Sequence, residues 1–214
     1  MREPHQIVTE AHNPFPCPTS LERVLLRALA SIGRQCYELG WCPGTAGNFS
    51  LRGSRGLCWV SRTGIGKARL GADDFVPIWL ATGSSVMPGA SAASLEAAVH
   101  LAIYGLRPEA RAVVHAHPPA TVARSVMHEV LEFKEAEMQK ALGAPTHLKS
   151  VGIPVIANPA TISLGEMVAA LQPLTNLNYG ALVLRGHGTY AWGETPEAAM
   201  DRIEALEFLC QTSV

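Results

Sequence analysis

The chain has 214 residues, 48% hydrophobic and 16% charged, enough for one domain with a sizeable core and too apolar for a disordered segment. A formal net charge of −1 excludes a global attraction to nucleic acid or to an anionic membrane, so any affinity for a phosphorylated ligand must be local. No apolar run reaches the ~18–20 residues that span a bilayer, and the cysteines Cys17, Cys36, Cys42, Cys58 and Cys210 form no CxxC pair, which suits a reducing cytoplasm.

Met1 to Pro18 mixes charged residues, histidines and prolines without the basic-then-apolar order of a signal peptide, and reads as an arm laid over a neighbouring subunit. A single domain is expected over residues 19–214. Thr19 or Ser20 caps a helix to about Glu38, with Leu21, Val24, Leu25, Ala28, Leu29 and Ile32 at helical spacing. Asn48 to Arg52 and Leu57 to Ser61 form a hairpin, Ser61 to Leu70 a loop, and Phe75 to Leu80 a strand. Ser94 opens a helix through about Gly105. Ala112 to Ala116 is a buried strand, Pro118 starts a helix, and Glu135 to Leu142 is another short one. Ile153 to Ile156 is a strand, Leu164 to Leu171 a helix, and Ala181 to Leu184 a strand with Tyr190 to Trp192 as hairpin partner. Thr195 caps the last helix, with Pro196 at its first position and Ala199, Ile203, Leu206 and Leu209 on one face. Strands in the middle with helices early, between and late predict a single α/β domain.

Strand side chains alternate faces, so His115 and His117 offer both imidazoles to one ion from the end of a buried strand. His187 follows a second apolar strand between Gly186 and Gly188, which allow close backbone approach. Three histidines describe a catalytic centre with an open position. Glu96 and His100, four apart, share a helix face. Glu96 is a candidate fourth ligand or base, and His100 is either its support or an ordinary half-buried histidine. By spacing alone Glu135 and Glu137 read as a solvated face. Two glycine-rich turns, Gly44-Thr45-Ala46-Gly47-Asn48 and Thr63-Gly64-Ile65-Gly66 with Lys67, can present N–H groups to a phosphate, with Ser61 and Arg62 as further donors.

From about Leu21 to Leu209 the chain resembles the class II aldolase/adducin family. The resemblance is carried by Gly47-Asn48-Phe49-Ser50, Ser61 to Lys67, Ser94-Leu95-Glu96 with His100, His115-Ala116-His117 and His187-Gly188. Glu137 to Leu142, Leu184 to Gly193 and Glu204 to Leu209 point to its ketose-phosphate dehydratases. The resemblance implies one divalent ion per subunit, zinc first, on His115, His117 and His187. It further implies Glu137 as acid/base residue and phosphate anchoring by Gly44, Thr45, Gly47, Asn48, Ser61, Thr63, Gly64 and Lys67. In the related aldolases the residue matching Glu96 is ligand and base. The implied fold is a central, largely antiparallel sheet flanked by helices, assembled as a homotetramer with sites between subunits. The expected partner is a phosphorylated ketose. The dehydratases usually follow HxH with serine, where this chain has Pro118-Pro119, and carry Ser or Ala at Leu95. An aldolase that releases dihydroxyacetone phosphate is the near alternative, and a non-catalytic adducin-like module the distant one.

Overall fold

A computed structural model describes residues 16–87, 89, 92–174 and 176–213. The expected N-terminal arm therefore lies almost wholly outside the described residues. Helix α1 (Ser20–Glu38) is closed at its start by a capping box, with Glu22 N–H on Thr19 Oγ1 and Thr19 N–H on the Glu22 carboxylate. Its buried face is Leu26, Leu29, Ala30, Gly33 and Cys36, while Leu21 and Val24 stay 63% and 57% exposed. The expected face was rotated because Glu22 turns inward, where its other oxygen accepts from Ser54 N–H at 2.6 Å.

The strands are β1 (Asn48–Arg52), β2 (Leu57–Ser61), β3 (Phe75–Trp79), β4 (Ala112–Ala116), β5 (Val130–Phe133), β6 (Val151–Ile156), β7 (Ala181–Leu184) and β8 (Gly188–Gly193). They form one eight-stranded sheet in the order β3-β2-β1-β4-β8-β7-β6-β5. Only β6 and β7 run parallel; every other neighbouring pair is antiparallel. The parallel pair needs a crossover, which helix α4 (Leu164–Leu171) supplies.

Helices cover both faces of the sheet. Ala112, Val114, Ala181, Val183 and Ala191 pack on the side of α1 and of α5 (Pro196–Thr212), whose Ala199, Ile203, Leu206 and Leu209 are buried as their spacing predicts. Val113, Leu182, Leu184 and Trp192 pack on the side of α2 (Ala97–Leu106) and α4. By alternation His115 faces α2.

Helix α2 begins later than expected. Ala97 N–H bonds the Ser94 carbonyl oxygen, and Ser94 to Glu96 form a turn that leaves Glu96 at the N-cap. Strand β5 had no counterpart in the sequence reading; four residues at a sheet edge carry only two inward side chains, Leu131 and Phe133. Residues Glu137–Leu142 form a 3₁₀ turn, and Lys67–Arg69 another inside the expected loop. Helix α3 (Pro119–Ser125) follows the HxH segment, so the prolines occupy its N-cap and first position, where no intrahelical N–H is required. The buried Glu207 carboxylate of α5 accepts from Ala120 N–H and Thr121 N–H and so closes the start of α3.

Candidate metal centre and ligand cleft

Strands β4, β8 and β7 bring the histidines together. Because β8 pairs antiparallel with both neighbours, the ends of β4 and β7 lie at the same sheet end, delivering His115 and His117 from one and His187 from the other. One ring nitrogen from each lies within 4.8 Å of the others. His115 is fully buried, and its Nδ1–H donates to the Thr189 carbonyl oxygen at 2.9 Å, which leaves Nε2 free. That Nε2 lies 3.0 Å from His117 Nε2, so the two ring nitrogens face one point. Tyr190 stacks on the His115 ring with centroids 3.9 Å apart and fixes its plane. His187 Nδ1–H donates to Asn158 Oδ1 at 3.3 Å.

Glycine is required where the chain crosses behind the rings. A Cβ on Gly188 would lie 2.4 Å from His117 Cδ2 and 2.8 Å from His115 Cε1. Gly47, at φ +79, would press a Cβ to 2.8 Å from the His115 carbonyl oxygen, so the first glycine-rich turn sits directly on the HxH strand.

Glu96 stands between two of the histidines, with Oε2 3.3 Å from His115 Nε2 and Oε1 3.0 Å from His187 Nε2. Burial alone would raise its pKa. The neighbouring His187 and His115 rings and the Asn48 amide more than reverse this, holding Glu96 well below the usual carboxylate range. Burial pushes His117 down to about 4, with His187 adding to the shift, and holds His115 well below the usual imidazole range. All three groups thus favour the forms that bind a cation: neutral imidazoles and an ionised carboxylate.

Behind Glu96 a chain of hydrogen bonds enters the core. Asn48 Nδ2–H donates to Glu96, His100 Nε2–H to Asn48 Oδ1 at 2.5 Å, and Ser50 Oγ–H to His100 Nδ1 at 2.7 Å. Tyr104 O–H closes the chain on Ser50 Oγ at 2.8 Å. Burial pushes His100 down to about 3, so it is neutral. The open choice for His100 resolves as support, through Asn48.

Beside the triad lies a cleft of about 190 Å³ lined by Thr45, Gly47, Asn48, Thr63, Gly64, Lys67, Glu96 and His117. Six of the expected phosphate residues are therefore together. Gly44 and Ser61 are not in its wall; the buried Ser61 Oγ instead accepts from Phe49 N–H at 3.1 Å. Arg62 and Ser94 join the lining. Ser94 had been read as a helix start, and its place here follows from the turn that precedes α2. Lys67 is buried, and its ammonium donates to the Thr45 and Ile65 carbonyl oxygens, both at 2.9 Å, tying the two turns together.

Glu137 is not brought to this centre. Phe133 pairs with Val151, so β5 ends beside the start of β6, at the sheet end opposite His187. Its carboxylate is exposed, and Lys140, with help from His147, lowers its pKa.

The sequence profile of the Class II Aldolase and Adducin N-terminal domain matches residues 27–214. Methylthioribulose-1-phosphate dehydratase of Yersinia enterocolitica is 41% identical, covering 89% of this chain and 91% of its own. The protein of the same name from Citrobacter koseri is 42% identical, covering 88% and 93%. Among solved structures, the L-fuculose-1-phosphate aldolase of Thermus thermophilus superposes with a TM-score of 0.68 at 32% identity, covering 88% of this chain and 93% of that one.

Proposed function

The chain belongs to the class II aldolase and adducin family, and from that premise we propose that it is a metal-dependent hydro-lyase of methionine salvage. It dehydrates 5-methylthioribulose 1-phosphate to 2,3-diketo-5-methylthiopentyl 1-phosphate. The observation that carries the reading is the likeness, at about 40% identity over nearly the whole chain, to dehydratases of that name, in a chain whose three histidines converge.

The donor set fits a divalent ion. His115 and His117 turn their Nε2 atoms towards each other, and a side chain at Gly188 would disrupt both. His115, His117 and His187 would hold the ion, and zinc is the first choice for imidazole donors. When bound it supplies Lewis acidity at the C2 carbonyl, which makes the C3 proton removable.

The remaining work belongs to the chain. The turns at Thr45 to Asn48 and Thr63 to Lys67 bind the phosphate through backbone N–H groups, with Lys67 balancing its charge. Gly44 and Ser61 act from behind as supports of those turns. Glu96, fixed through Asn48, orients the substrate hydroxyls. Glu137 takes the C3 proton and returns one to the departing C4 hydroxyl. Because Glu137 lies opposite the triad of its own chain, this role requires a homo-oligomer, a tetramer in our reading, in which Glu137 of one copy enters the site of another. Burial there would raise its pKa towards the value an acid/base group needs. Exposed Leu21, Val24 and Met127 are consistent with such contacts. Residues 19–214 are the catalytic unit. The compartment is the cytoplasm, where the thiols of Cys36, Cys42, Cys58 and Cys210 stay reduced. No described helix is long and apolar enough to cross a membrane.

Glu96 favours one second reading, retro-aldol cleavage, because it is the aldolase-type carboxylate and lies against the histidines. Product identification decides. Incubation with 5-methylthioribulose 1-phosphate should yield the diketone phosphate, whereas dihydroxyacetone phosphate would establish the aldolase.

A further inference from the structure

The ion site has a second cleft on its far side. It measures about 430 Å³ and is formed by Leu95 and the segment after β6, with Pro159, Ala160 and Ile162 giving it an apolar wall. Glu96 belongs to both clefts; His117 lines the first and His187 the second. The order across the site is thus a polar cleft with Lys67, then the carboxylate and imidazoles, then an apolar cleft.

Two features tie the second cleft to the reacting centre. Asn158, whose Oδ1 holds His187 Nδ1–H at 3.3 Å, begins the segment that forms the apolar wall. Leu95 precedes Glu96 directly and is 88% exposed. An exposed leucine alone means little; one at the mouth of a cleft beside a metal-type centre offers apolar area to a ligand.

We propose that this cleft binds the thioether end of the substrate and that Leu95 and Ile162 set the preference for an apolar group at C5. The inference rests on the dehydratase reading above. In 5-methylthioribulose 1-phosphate the phosphate and the methylthio group are at opposite ends, with the reacting carbons between them. That is the order in which the structure arranges lysine, carboxylate with imidazoles, and apolar wall. A C5 hydroxyl in the same place would lose water against Leu95, Pro159 and Ile162, with Asn158 and Thr161 as the polar side chains of that wall to offset the loss.

The test compares kcat/KM for 5-methylthioribulose 1-phosphate and ribulose 1-phosphate, which differ only at C5. Wild type should favour the thioether by about 10- to 200-fold, the range for a small apolar group in a pocket. Leu95→Asn and Ile162→Asn should each cut that ratio about tenfold or more, through a raised KM for the thioether and with little change for ribulose 1-phosphate. Leu95 is exposed, so its variant keeps the fold. Normal wild-type turnover with a ratio unaltered in both variants would overturn the thioether cleft alone, and would leave it to a neighbouring copy's side chains. Failure of wild type to dehydrate either ketose would overturn the dehydratase reading and this proposal with it.

Discussion

His100 holds the network behind Glu96 together, and removing it should be costly in a pH-dependent way. Leucine there leaves the buried Asn48 Oδ1 without its partner, while Ser50 Oγ keeps only the Tyr104 hydroxyl. One buried orphan costs about 1–3 kcal/mol, so His100→Leu should lose about that much. Glutamine can still donate to Asn48 and should lose less. The acid behaviour separates this account from simple repacking. Folding lowers the His100 pKa from 6.5 to about 3, so below pH 6.5 the unfolded chain binds a proton that the native one refuses. Its contribution is fully present above pH 6.5 and is lost as pH falls towards 3, at about 1.4 kcal/mol per unit. His100→Gln removes the titration, so the stability gap between wild type and variant should shrink by about 2 kcal/mol between pH 7 and pH 5. Urea unfolding at both pH values, in chelator so that metal loss does not contribute, measures it. A gap that stays constant would refute the buried neutral histidine.

Gly188→Ala should lower metal content and activity together, since its Cβ meets His117 Cδ2 at 2.4 Å and the Ala116 carbonyl oxygen at 2.7 Å; full metal occupancy would contradict this. Glu137→Gln and His117→Gln should each be inactive as homo-oligomers. Refolded together in equal amounts, they should regain roughly a quarter of wild-type activity if sites are shared between symmetric copies, whereas a silent mixture would place Glu137 outside the shared site. Lys67→Met loses two charged hydrogen bonds to the glycine-rich turns and should raise KM about tenfold or more at unchanged metal content. A KM equal to wild type would remove Lys67 from phosphate binding.

The histidine cluster was readable because a strand has period two, and His115 and His117 needed no tertiary information to share a face. The helices were readable from caps, Thr19 and Thr195 above all. What escaped depended on contacts between distant segments. Leu21 and Val24 follow the helical period but lose their place in the core to Glu22, whose partner Ser54 lies on another element. The place of Glu137 depends on β5 pairing at the sheet edge, and a four-residue strand carries too short a pattern to reveal that. Ser61 ends strand β2 where a donor-rich loop begins, yet its hydroxyl accepts from Phe49 N–H. The roles of His100 and Lys67 were open for the same reason: their partners, Asn48 and Thr45, belong to another part of the chain.

The central claim, that dehydration depends on an ion at His115, His117 and His187, is tested most directly by titrating chelated protein with a divalent metal while following conversion of 5-methylthioribulose 1-phosphate. Activity should rise from zero in proportion to bound metal and saturate as occupancy approaches one ion for each chain. Full turnover by metal-free protein would contradict it.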